Sequence, residues 1–217
     1  MSYPLHRKLA VEFIGMFLFV FVVGMATESA NKSGAVLAPI AIGSVLMVMV
    51  FAGGHVSGGH YNPAVSTAVM IRGKLKANEY LAYIVTQFAA AALAGLLVNA
   101  VGGEEIAGPT ASTGKMLVVE FIFTFALAYT VLNVATAKGT EGNYFYGLAI
   151  GFIVIVGAIS VGWISGGAFN PAIALGATVL GAFEWANIWI YLLADFLGGA
   201  FAAGVFLYIQ GEYARAD

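Results

Sequence analysis

Two asparagines, each followed by Pro-Ala, are the residues of this chain best placed to do chemistry. Asn62-Pro63-Ala64 and Asn170-Pro171-Ala172 stand 108 residues apart. Asn is a favoured helix N-cap, and Pro is favoured at the first helical position, where its missing N–H costs nothing. Each asparagine therefore starts a helix and carries an amide whose N–H groups can donate. The segments just before, Gly58-Gly59-His60 and Gly166-Gly167-Ala168, are Gly-rich. Run extended, they offer a row of backbone carbonyl acceptors. Central donors with acceptors at either end suit a neutral, hydrogen-bonding solute. A cation meeting two helix N-termini faces partial positive charge from both.

The elements that position these groups follow from composition. Hydrophobic residues make up 61% of the 217, and charged residues only 9%. A soluble domain carries about 25% charge, so this chain cannot clothe a water-facing surface and reads as a polytopic membrane protein. Net charge is −2 and there is no cysteine, which removes disulfides, thiolate catalysis and a basic nucleic-acid surface. No nucleophile–base pair or metal cluster is visible, so no enzyme, cofactor or metal site is implied.

Six apolar runs are long enough to cross ~30 Å of hydrocarbon: about 9–28, 35–54, 80–101, 116–136, 144–163 and 186–209. They are apolar all round, which predicts helices; a β-barrel would show short alternating segments. Two further runs, 62–71 and 170–181, are too short to span. Each begins at Asn-Pro-Ala, and about ten helical residues rise roughly 15 Å, half the core. Backbone that is not helical at this depth must be buried in protein or line an aqueous cavity. The expectation is an all-α membrane protein of six transmembrane helices plus two re-entrant half-helices.

The offset of 108 extends beyond the asparagines. Val11-Glu12-Phe13-Ile14 recurs as Val119-Glu120-Phe121-Ile122, Ser57-Gly58-Gly59 as Ser165-Gly166-Gly167, and Gln87-Phe88 falls on Asp195-Phe196. The chain is therefore expected to form one domain, 1–217, of two repeats, 1–108 and 109–217. Three spans per repeat is an odd number, so the second copy must be inverted. Inverted repeats place a site near the midplane at their interface; here the two half-helices meet N-terminus to N-terminus. Seven of the nine basic residues (Arg7, Lys8, Arg72, Lys74, Lys76, Lys138 and Arg215) fall on one face and only Lys32 and Lys115 on the other. Basic loops stay inside, so both termini are expected to be cytoplasmic, in a plasma (inner) membrane.

Glu12 and Glu120 lie inside spans. Intramembrane acids are costly and mark functional candidates, and a proton-coupled transporter would use them. Their symmetry favours another role: each re-entrant loop has backbone N–H groups that need acceptors, and one acid per repeat could brace it. Asp195, with Gln87 as repeat mate, is expected to find a hydroxyl or backbone partner. His55 and His60 are expected to brace the first loop, and His60 to turn its ring toward the vestibule. Ala89–Ala92, Gly95 and Gly198-Gly199-Ala200 suit close helix packing. Trp163, Trp185, Trp189 and Tyr191 read as an interfacial aromatic belt.

The doubled motif, Ser-Gly-Gly-His-Tyr-Asn-Pro-Ala-Val and Ser-Gly-Gly-Ala-Phe-Asn-Pro-Ala-Ile, resembles that of the aquaporin (major intrinsic protein) family across essentially the whole chain. The resemblance implies a homotetramer with one pore per protomer, passing water or small neutral solutes passively. It also implies a selectivity filter at Ile42, Ala158, Gly167 and Ile173. Water-selective members typically place an aromatic, a His and an Arg among these positions, and glycerol channels keep the Arg. Here Ile173 stands where the Arg would be. An apolar, wider filter is expected, as in some plant vacuolar members, admitting urea, ammonia, hydrogen peroxide and glycerol besides water. Exclusion of protons and cations would then rest on the half-helix dipoles and desolvation.

Overall fold

The computed structural model describes residues 3–34, 37–102 and 106–211. Residues 35–36 of the second expected span, and Arg215, lie outside them. The described residues form eight α-helices: α1 (Leu5–Ser33), α2 (Ala38–Ser57), α3 (Pro63–Ile71), α4 (Ala77–Val101), α5 (Thr113–Thr136), α6 (Tyr146–Ser165), α7 (Pro171–Val179) and α8 (Ile188–Gln210). Six are long and apolar enough to cross a membrane, and each expected span falls on one of them. The half-helices α3 and α7 have nine residues each.

Helix ends differ slightly from the hydropathy reading, for local reasons. Pro39 in the first turn sets the start of α2. Both α2 and α6 run to Ser57 and Ser165, and each stops at a glycine in the left-handed conformation, Gly58 (φ 93°) and Gly166 (φ 84°). Glycine adopts that conformation without steric penalty and so turns the chain into the re-entrant loop.

The outward faces are apolar: Ile14, Leu81, Val85, Ile122, Ile159 and Phe201 are all exposed, which suits lipid. The inward faces carry small residues, because packing between helices in hydrocarbon depends on close backbone approach. At the α2–α6 crossing, a Cβ on Gly43 would lie 2.5 Å from the Gly151 carbonyl oxygen, and one on Gly151 2.5 Å from that of Gly43. On α4, a Cβ on Gly95 would lie 2.7 Å from the Gly176 carbonyl of α7; on α8, one on Gly199 would overlap the Ala64 carbonyl of α3. Each half-helix thus docks on a span from the other half of the chain, α3 on α8 and α7 on α4.

Gly199→Ala is accordingly expected to push α3 and α8 apart. Overpacking of this kind costs about 1–3 kcal/mol, read as a lower midpoint of thermal unfolding in detergent. Gly204→Ala on the same helix, where a Cβ meets nothing within 4 Å, should leave the midpoint unchanged or raise it.

Candidate functional site

The site is assembled where α3 and α7 begin. Asn62 caps α3: its Oδ1 accepts from the N–H groups of Ala64 (2.8 Å) and Val65 (3.3 Å). Asn170 caps α7 in the same way, with Ala172 (2.9 Å) and Ile173 (3.4 Å). Pro63 and Pro171 occupy the first helical positions. The caps fix each amide, oxygen toward its helix and nitrogen away from it. Each nitrogen then reaches across the chain: Asn62 Nδ2 donates to the Phe169 carbonyl at 2.9 Å, and Asn170 Nδ2 to the Tyr61 carbonyl at 2.8 Å. An amide nitrogen has two hydrogens, so each asparagine retains one donor after this crossing bond.

The acceptors Tyr61 and Phe169 are the two non-glycine residues with positive φ among those described, 44° and 49°. Such a conformation costs a non-glycine residue of order 1 kcal/mol or more and persists where surrounding contacts enforce it. The enforcing contacts are the acids. Glu12 Oε1 accepts from the Ser57 hydroxyl (2.7 Å) and the His60 N–H (2.9 Å), and Oε2 from the Tyr61 N–H (2.8 Å) and Gln87 Nε2 (2.9 Å). Glu120 accepts from the Ser165 hydroxyl and from the N–H groups of Ala168 (3.1 Å) and Phe169 (2.7 Å). Both acids are completely buried. Two consecutive N–H groups drawn to one carboxylate hold each loop in shape.

Two cavities open on either side of these helix starts. The larger, about 840 Å³, lies at the basic face and includes Gly58, His60, His55, Lys8, Lys74, Glu79 and Lys138 in its lining. Lys8 and Glu79 pair across it at 3.0 Å. The smaller, about 220 Å³, is lined by Ile42, Ala158, Gly167 and Ile173 together, with Gly166, Ala168, Phe19, Val154 and others. Among the described residues, none that lines this second cavity is charged. Asn62, Asn170 and Gly59 line neither; the asparagines are 2% and 1% exposed.

The family model described as major intrinsic protein matches residues 1–208. The chain belongs to that family. It is an integral membrane channel protein and not an enzyme. Among its relatives, Aquaporin NIP1-4 of Oryza sativa subsp. japonica is 32% identical, over 100% of this chain and 82% of the relative. Aquaporin NIP1-1 of Zea mays is 35% identical over 95% of this chain and 75% of its own length. Probable aquaporin TIP1-2 of Oryza sativa subsp. japonica is 35% identical over 95% and 88%. The solved aquaglyceroporin from Plasmodium falciparum superposes with a TM-score of 0.81 over 99% of this chain and 100% of its own, at 19% identity, a likeness of fold.

Within this major intrinsic protein fold, several side chains sit differently from the sequence expectation. Tyr191 is no belt residue. It is completely buried, its hydroxyl donates to the Ser165 carbonyl at 2.6 Å, and its ring stacks on Phe183. Trp163, Trp185 and Trp189 are exposed. His55 does not brace the loop; its ring meets Tyr3 edge-on at the cavity mouth. His60 does brace it, through Nδ1 and the Ser66 hydroxyl at 3.0 Å. Tyr61 and Phe169 line neither cavity: the Tyr61 hydroxyl donates to the Met49 carbonyl, and the Phe169 ring lies against Phe123. Asp195 finds the Thr124 hydroxyl at 2.9 Å.

Sequence reasoning passed over Tyr83, whose hydroxyl donates to the Ser57 carbonyl at 2.7 Å, and the structural part of Ser57 and Ser165. A signal was present. Tyr83 and Tyr191 are 108 apart, as are Ser57 and Ser165.

Proposed function

We propose that this channel is a passive pore for water and small neutral solutes, among them urea, ammonia, hydrogen peroxide and glycerol, and that it excludes ions and protons. The observation that carries the reading is the smaller cavity, where Ile42, Ala158, Gly167 and Ile173 meet without a charged side chain. In this reading those four residues are the filter. A side chain that fixes one water by charge and a fork of donors is missing from their number, and Ala158 and Gly167 leave width beside the two isoleucines. The carbonyls of Gly58, Gly59, His60, Gly166, Gly167 and Ala168 supply acceptors along the path. The capped Asn62 and Asn170 supply the donors between them. The positive ends of α3 and α7 disfavour cations at the same place, and dehydrating an ion in an apolar constriction adds to the barrier.

The same reading takes residues 1–217 as one channel domain with inverted halves, 1–108 and 109–217. It assembles as a homotetramer with one pore per protomer. It sits in the plasma (inner) membrane with the basic face and both termini in the cytoplasm, as the asymmetry of Lys and Arg implies.

Stopped-flow measurements on proteoliposomes test the solute range. Water, urea, glycerol and ammonia should all cross faster than in protein-free vesicles, with no proton or potassium conductance. Water flux without urea or glycerol flux would overturn the wide-filter reading.

A further inference from the structure

The two acid brackets differ in one group. Glu12 has four donors, the last of them the Gln87 amide at 2.9 Å. Glu120 has three, and the fourth place belongs to Asp195, a carboxyl instead of an amide. Asp195 is completely buried in α8. Its Oδ1 accepts from the Thr124 hydroxyl, whereas its Oδ2 is buried with no hydrogen-bond partner among the described residues. Thr124 stands one turn beyond Glu120 on α5, so its bond sets the Asp195 carboxyl beside that of Glu120, as the repeat sets the Gln87 amide beside Glu12.

Two ionised carboxylates cannot occupy such a place, because like charges in contact away from water disfavour one another strongly. Among the described residues, no cation pairs with either acid. The groups around the pair are the Tyr191 hydroxyl on α8, committed to Ser165, with Thr124 on α5, Ser165 at the end of α6, and the Asn170 N–H at the start of α7. Helices α3 and α7 contain no titratable or charged side chain.

We infer that Glu120 and Asp195 hold one proton between them, a buried proton-binding site that does for the second re-entrant loop what the Gln87 amide does for the first. The proton lies between Asp195 Oδ2 and the Glu120 carboxylate, so that each acid completes the other. The surroundings have adapted to the exchange. In the first half Gln87 Nε2 also donates to the Ser66 hydroxyl on α3, at 3.0 Å. The residue 108 beyond Ser66 is Ala174, and the hydroxyl comes instead from Thr124, where the first half has Met16. Asp195 is thus a positioning residue. It steadies Glu120, which holds the N–H groups of Ala168 and Phe169, and the Phe169 carbonyl takes the crossing bond from Asn62. Removing the proton would set two negative charges against each other behind the loop that lines the smaller cavity.

Infrared difference spectroscopy of the full chain in lipid tests this, with a readout independent of which solutes permeate. The wild type near neutral pH should show a carboxylic-acid carbonyl band that shifts with carbon-13 carboxyl labelling of Asp and Glu and is lost at alkaline pH. Asp195→Asn supplies a permanent N–H donor, so it should lose the band, keep water permeability, and lack the alkaline decline in permeability expected of the wild type. Identical wild-type and Asp195→Asn spectra in the carboxylic-acid region overturn the inference. Should Asp195→Asn fail to fold, the wild type alone decides: no label-sensitive acid band once exposed carboxyls have ionised overturns it as well.

Discussion

Replacing Ile173 by Arg is expected to cut urea and glycerol permeability at least about tenfold while water flux stays within a few-fold of wild type. The residue sits in the first turn of α7, 4% exposed, and lines the smaller cavity with Ile42, Ala158 and Gly167. Arg brings a longer side chain and five fixed donors. The positive end of α7 disfavours a guanidinium close to the helix axis, so it extends toward Gly166, Gly167 and Ala168, which line the same space and whose carbonyls are acceptors of the proposed path. It then narrows the opening beside Ala158 and Gly167 and occupies acceptors that a larger solute would use. A tenfold fall corresponds to about 1.4 kcal/mol of added barrier, modest for a charged, branched group in an apolar constriction. The measurement is the ratio of urea and glycerol to water permeability in proteoliposomes. An unchanged ratio would mean that this position does not control size selection.

Glu12→Ala should abolish the folded channel. Four buried donors lose their acceptor at once: the Ser57 hydroxyl, the His60 and Tyr61 N–H groups and the Gln87 amide. Leaving a buried donor unpaired costs about 1–3 kcal/mol, and hydrocarbon offers no water to take over. Even the low end sums to roughly 4 kcal/mol, comparable with the 5–15 kcal/mol that holds a typical domain together. The strain at Tyr61 would also lose its restraint. Size-exclusion chromatography in detergent should show aggregate or no protein. Glu12→Gln keeps one acceptor oxygen but points an amide at groups that are themselves donors. It should lower yield and thermal stability before it alters selectivity. A well-folded Glu12→Ala channel with normal water flux would exclude the bracing role.

Several parts of the site were legible because their causes are local. Asn62 and Asn170 announce themselves through cap chemistry and the following Pro, which depend on a few consecutive residues. Glu12 and Glu120 are legible through hydrophobic context and shared offset. Tyr191 was misread because an aromatic near a span end looks the same whether it meets headgroups or turns inward. Its direction depends on the Ser165 carbonyl, 26 residues away along the chain. Asp195 stood out as the mate of Gln87, yet its place beside Glu120 arises only when α5 and α8 pack together.

Hydropathy and capping by themselves determined the number of spans, the two half-helices, where each begins, and which residues could donate or accept. These follow from the hydrocarbon thickness and from backbone hydrogen-bond needs, which act along short stretches of chain. Only the tertiary structure decided what faces what. It sent the Asn62 and Asn170 amides to carbonyls of the opposite half, gathered Ile42, Ala158, Gly167 and Ile173 around one cavity with no charge among its described residues, and set two acids side by side. The crossing bonds and the acid pair join residues 75 to 109 positions apart, and Ile42 meets the other three cavity residues from 116 to 131 positions away. They are set by how small residues let the helices approach, which no local pattern encodes.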